Sequence, residues 1–283
     1  MLRTFLLASA GAVALAGSAF AADLPSRAPP PAYVPPAPIF TWTGVYIGGQ
    51  IGYAWTNPNV TYGDAGYTVG GFPLGYADSY NVGGNANGVI GGAHVGYNLQ
   101  LGQWVLGLEG DVDGSSISKT VSVSPYSSYY ADYIPTTFHS NLGIQGSIRG
   151  RVGIAWDRAL LYATGGVAFG GFTSYVSTSY ANPQGILSNF PFSGNDSFSQ
   201  TRVGWTVGGG LEYAITNNWS VRGEYRYTDF GHTSNYLVNA FPVYPGDVSV
   251  GAWVHRHLTE NRVQVGFSYK FDTFQPAPVV AKY

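Results

Sequence analysis

His255 and His257 are the sharpest pair of chemistry-bearing side chains in this 283-residue chain. An i, i+2 spacing sets both imidazoles on one face of a strand, and imidazole is a common ligand of zinc, nickel and copper. No third ligand is evident beside them, so a solvated loop is the favoured reading and no metal is assigned. His139 and His232 also fall in or beside long connections, whereas His94 stands alone in an alternating segment and reads as a hydrogen-bonded interior residue. The chain has no cysteine, which excludes disulfides and thiolate-held metals. A second set of residues offers ion-pair chemistry. It comprises six acids (Glu109, Asp111, Asp113, Glu212, Glu224, Glu260) and seven bases (Arg149, Arg151, Arg202, Arg222, Arg226, Arg262, Lys270). No catalytic residue and no cofactor are assigned.

Whatever positions these groups is sparing with charge. Charged residues are 10% of the sequence, hydrophobic ones 45% and aromatic ones 16%, against about a quarter charged in an ordinary soluble domain. That balance argues against disorder. Mean hydropathy is +0.01, and past the N-terminal leader no uncharged apolar run has the length of a membrane-spanning helix. A net charge of −2 and a pI near 6.2 give no footprint for nucleic acid. Met1-Leu2-Arg3, the apolar run Thr4 to Ala16 and Ala19-Phe20-Ala21 read as a secretory signal over residues 1–21. Residues 22–40 include Pro29-Pro30-Pro31 and Pro35-Pro36; such a stretch cannot supply a hydrogen-bond ladder and is expected to be an extended periplasmic segment. Residues 41–271 are expected to form the folded body and 272–283 a C-terminal tail.

Within that body the apolar period is two, the signature of strands. The alternating segments are 43–55, 88–100, 103–113, 141–156, 160–173, 201–213, 219–229 and 260–271. In the fourth, Leu142, Ile144, Ile148, Val152, Ile154 and Trp156 share one face, and Gln145, Ser147, Arg149 and Arg151 the other. Every charge in these segments lies on the polar face except Asp229, at a strand end. An Arg or Lys facing lipid at the bilayer midplane costs roughly 2–4 kcal/mol, so in a membrane the charges turn inward and the apolar faces outward. A soluble barrel would reverse the two faces.

Short connections near 100–103, 157–159 and 214–218 alternate with long ones at 56–87, 114–140, 174–200 and 230–259, the plan of an outer-membrane barrel. The expected fold is all-β: an eight-stranded antiparallel transmembrane β-barrel with short periplasmic turns and four long extracellular loops. The expected aromatic girdles are Trp42, Trp55, Trp104, Trp156, Trp205, Trp219, Tyr213, Tyr225, Tyr227, Phe267, Tyr269 and Phe271. Eight strands leave an interior just wide enough for side chains to fill. The six acids and seven bases, paired there, predict a largely plugged lumen.

Three stretches carry a family resemblance: Thr41-Trp42-Thr43-Gly44-Val45-Tyr46-Ile47-Gly48-Gly49, Gly204-Trp205-Thr206-Val207-Gly208-Gly209-Gly210-Leu211-Glu212-Tyr213, and Asn218-Trp219-Ser220-Val221-Arg222-Gly223-Glu224-Tyr225-Arg226-Tyr227-Thr228-Asp229-Phe230-Gly231. The chain resembles the small outer-membrane proteins of alphaproteobacteria, which implies an OmpA-like eight-stranded barrel in the cell outer membrane, of the kind described as porin-like or as surface antigens. The partners so implied are outer-membrane lipid, lipopolysaccharide and the outer-membrane assembly machinery. The expected role is structural, in envelope integrity and surface contact, with a small passive porin as the alternative. Some relatives bind haemin, which makes a haemin-binding surface protein a further alternative, through loop His and Tyr side chains. His232-Thr233-Ser234 is also similar to the His-x-Ser of outer-membrane lipid A deacylases, with Asp247 or Glu260 as third member. Two matching residues without the rest of that family's pattern leave the chain assigned as a non-enzyme.

Overall fold

The computed structural model describes residues 40–271 apart from 57–58, 70–71, 78–79, 82–84, 125, 128–131, 134, 181–191 and 244–245. The strands are β1 (Gly44–Thr56), β2 (Asn59–Val69), β3 (Phe72–Ala77), β4 (Tyr80–Asn81), β5 (Ala86–Leu101), β6 (Trp104–Val123), β7 (Tyr126–Ser127), β8 (Asp132–Tyr133), β9 (Thr136–Trp156), β10 (Ala159–Tyr180), β11 (Phe192–Ala214), β12 (Trp219–Val243) and β13 (Gly246–Lys270). Eight of them pair in the order β1-β5-β6-β9-β10-β11-β12-β13, and β1 pairs back onto β13 from Tyr46↔Lys270 to Thr56↔Glu260. Every contact around the ring is antiparallel. Closure removes the unpaired sheet edge that lipid would not tolerate.

Burial settles which face is which. Ile144 is 70% exposed and its neighbour Gln145 2%. The same alternation sets exposed Ile51, Leu108, Val112 and Val265 against buried Gln50, Glu109, Asp111 and Gln264. Apolar side chains therefore cover the outside and polar ones fill the inside, the reverse of a soluble barrel. The short turns are local in origin. Gly102 supplies a positive φ of 65° between β5 and β6, and Asp157, of a type that tolerates the left-handed region, supplies 51° between β9 and β10.

At the other end the strands outrun a bilayer. A spanning strand needs about 9–11 residues, yet β12 and β13 have 25 each and β11 has 23. Much of what the sequence presents as long loops at 114–140, 174–200 and 230–259 is therefore a continuation of the paired wall. Where β1 stops opposite Glu260, the rest of β13 pairs with β2 instead, between Val248↔Val69 and His257↔Asn59. Register shifts between Gly114 and Ile117, between Gly170 and Phe172 and between Asp229 and His232 break the alternation where these stretches begin, so a single period does not carry the strand signal across them.

The interior is stacked in three layers. Trp42, Val105, Ala155, Leu160, Tyr162 and Ala214 form an apolar cluster at the short-turn end, with Phe40 against it. A second apolar cluster, Ala54, Ala86, Ile90, Ile117 and Leu142 with Phe172, lies toward the opposite end. The charged belt sits between them.

Candidate functional site

The belt is built from strands that face one another across the ring. Arg149 of β9 pairs with Glu109 and, at 3.0 Å, with Asp111, both on β6, and reaches over to Glu224 of β12 at 2.9 Å. Arg226 of β12 returns the contact, to Asp111 at 3.2 Å and Glu224 at 2.8 Å. Arg222, also on β12, meets Glu109 at 2.6 Å, and Arg262 of β13 meets Asp113 at 2.8 Å and Glu260 at 3.0 Å. Strands β6 and β12 are four places apart in a ring of eight, so their ion pairs run along a diameter. Arg151 pairs with Glu212, its guanidinium carbon 3.6 Å from the centre of the Tyr162 ring.

Neutral groups satisfy what the ions leave over. The Tyr46 hydroxyl donates to Glu109 at 2.8 Å and the Tyr162 hydroxyl to Glu224 at 2.8 Å. Gln50 donates to Asp113 at 2.7 Å, Gln145 to Glu260 at 2.8 Å and Ser220 to Glu212 at 2.6 Å. Each charge thus has several partners, which a buried ion pair requires to offset desolvation. His94 is buried and shares a 2.9 Å hydrogen bond with Ser268. The short-turn half is packed less completely. Among the described residues, His94 Nδ1, Asn98 Oδ1, Arg151 Nε and Arg222 Nε have no protein partner. A cavity of about 20 Å³ bordered by Trp42, Tyr46, Asn98 and Glu212 lies nearby, room for a single water.

Three of the expected assignments are corrected. Trp42 is not part of an aromatic girdle: it is 4% exposed, plugs the short-turn end of the interior and donates from its indole to Asp157 O at 3.3 Å. Its parity with Tyr46 and Gly48 already pointed inward. Lys270 lies at the same mouth, bonded to Thr41 O and 4.7 Å from the Phe40 ring centre, rather than among the buried acids. Arg202 is half-buried near the long-strand end, where it donates to Gln200 Oε1 and the His232 carbonyl. Both bases have inward parity but stand beyond the belt. The buried set is therefore six acids with five arginines.

The remaining girdle candidates lie on the outer surface. Trp104, Trp156, Trp219, Tyr213 and Phe267 are exposed toward the short-turn end, and Trp219 lies 5.1 Å from Tyr269, which in turn lies 5.2 Å from Phe271. Trp205 packs 5.4 Å from Tyr227 further up the wall, with exposed Tyr225 and half-buried Trp55 on the same outer surface.

The histidines of the long-strand end form a separate cluster. A register shift between Asp229 and His232 sets His232 opposite His257 and Ser234 opposite His255. Ser234 and His255 Nδ1 are 2.7 Å apart, and His257 Nε2 is 3.3 Å from both oxygens of Asp229. Among the described residues the His232–Ser234 pairing of a deacylase-like site is not made. The serine meets His255 rather than His232, and Glu260 is buried in the belt. The Asp247 side chain lies outside the described residues. The His232–His257 pair is not legible from alternation, because the shift reverses the parity of β12.

The family described as outer membrane protein beta-barrel domain matches residues 6–271. The 31 kDa outer-membrane immunogenic protein of Brucella melitensis is 31% identical over 276 residues, covering 95% of this chain and 100% of that one. The 22 kDa outer membrane protein of Rhizobium leguminosarum bv. viciae is 33% identical over 208 residues, covering 71% and 77%. Among solved structures, the outer membrane protease OmpT from Escherichia coli aligns with a TM-score of 0.43 at 10% identity, over 83% of this chain and 99% of that one.

Proposed function

Since the chain belongs to the outer membrane protein beta-barrel family, we propose that this outer-membrane protein serves the envelope as a closed structural barrel with a surface-contact role, not as a solute pore or an enzyme. The observation that carries the reading is the pairing across the ring of Arg149 with Glu224, Arg222 with Glu109 and Arg226 with Asp111. Conduction would require water and solute to displace bonds among charges that are almost fully buried. Apolar clusters on either side of the belt add two further barriers, since water gains no partner there. In this reading the exposed tryptophans and tyrosines sit at the lipid and lipopolysaccharide interfaces, and the last strand, closing on Phe271, is what the assembly machinery reads.

A deletion strain tests the role. Loss of the protein is expected to raise sensitivity to detergents while leaving uptake of small sugars unchanged. Sugar uptake falling in step with the protein's abundance would instead support a passive porin.

A further inference from the structure

We propose that the outer face of the β12–β13 hairpin carries a binding site for a divalent late transition-metal ion, with His232 and His257 as its two imidazole ligands. The site depends on one irregularity. On β12 the outward residues are Val221, Tyr225 and Tyr227, of odd number, so unbroken alternation would turn His232 inward. Phe230 keeps its inward place at 4% exposed, Gly231 takes φ 75°, and the extra residue returns His232 to the outside, directly across from His257. Glycine is the residue that adopts such a φ without strain.

The two rings are parallel to within 6° with centroids 4.0 Å apart. Aromatic pairs ordinarily avoid a face-to-face sandwich. Directly opposed residues of an antiparallel pair hold their Cβ atoms about 4.5–5.5 Å apart, so the two imidazoles reach one ion at bonds of ~2.0–2.1 Å once they turn out of the stack and their in-plane lone pairs converge. Asp229 supplies the outer contact that a metal-bound histidine usually has. It takes His257 Nε2 at 3.3 Å, which leaves Nδ1 as the ligating atom, and is itself held by the Gly231 N–H at 2.7 Å. This accounts for the charge that broke the inward rule. Among the described residues no three imidazole or carboxylate groups already converge on one point. The fitting ions are therefore those that accept two imidazoles with solvent in the other positions, copper(II) and nickel(II) first and zinc(II) after them. The site lies at the long-strand end, so the ion comes from outside the cell.

The probe is CuCl2 added to the folded protein in detergent, followed by titration calorimetry and electron paramagnetic resonance. One copper per chain with two-nitrogen coupling is expected. His232→Ala and His257→Ala should each remove the coupling and weaken binding at least tenfold, and Asp229→Asn should weaken it about tenfold. Deleting Gly231, which restores alternation, should match His232→Ala, whereas His139→Ala should match the wild type. A folded wild type that binds no stoichiometric copper overturns the site. So does a His232→Ala/His257→Ala double variant that keeps its affinity within threefold. Heat-shifted migration in detergent gels confirms that each variant is folded.

Discussion

The two polar clusters of this molecule, the belt inside the ring and the histidine pair on its outer wall, are built by opposite means. The belt follows from strict alternation: residues two apart on β6, β9, β12 and β13 point inward and meet charges from across the ring. Its members are 0–4% exposed at the side chain. The outer pair exists because alternation is broken once, at Gly231, and its members remain in contact with solvent, His257 at 32% and Asp229 at 18%. Burial makes the same kinds of contact worth different amounts. In the belt, removing one partner strands an ion in a dry interior; on the wall, water replaces the lost bond.

Stability measurements on the folded protein in lipid vesicles can break that contrast. Glu224 accepts from Arg149, Arg226, Tyr162 and Gln264, so Glu224→Ala is expected to cost about 3–5 kcal/mol in urea unfolding. A loss below ~1 kcal/mol would mean that the belt is hydrated. Next comes a charge on the wrong face. Val207 is outward and 48% exposed near the middle of β11, and Val207→Arg should cost roughly 2–4 kcal/mol in a bilayer. A negligible cost would move the lipid boundary. Asp229→Ala should change stability by less than about 1 kcal/mol, the scale of an exposed pair. An optical test sharpens the inside–outside division without changing stability: brominated lipid should quench Trp104, Trp156 and Trp219 but leave Trp42 bright, measured in single-tryptophan variants. Quenching of Trp42 comparable to that of Trp104 would return it to the lipid surface.

Most of the ring was legible because lipid and lumen impose opposite demands on successive residues, and that demand is written in the sequence with period two. The belt residues could be read from the same pattern, but their partners could not, since pairing across a diameter depends on strand order and stagger. Trp42 shows a signal misread rather than absent. A tryptophan at a strand end resembles a girdle residue, yet its even number, shared with Tyr46, placed it inside. Arg202 and Lys270 have the right parity at the wrong height, a coordinate that alternation does not encode. The upper wall is not legible by period alone, because register shifts at Gly114/Ile117, Gly170/Phe172 and Asp229/His232 reset the alternation at its base. The His232–His257 pair was hidden by the bulge, where a Gly after an inward Phe was the available clue.

Single-channel recording in a planar bilayer tests the closed barrel most directly, using only protein that migrates faster unheated than boiled. The wild type should give no steady steps, and a Glu109→Ala/Arg149→Ala/Glu224→Ala/Arg226→Ala variant that passes the same folding check should give them. Voltage-stable steps from the folded wild type would contradict the closed lumen and make the chain a pore.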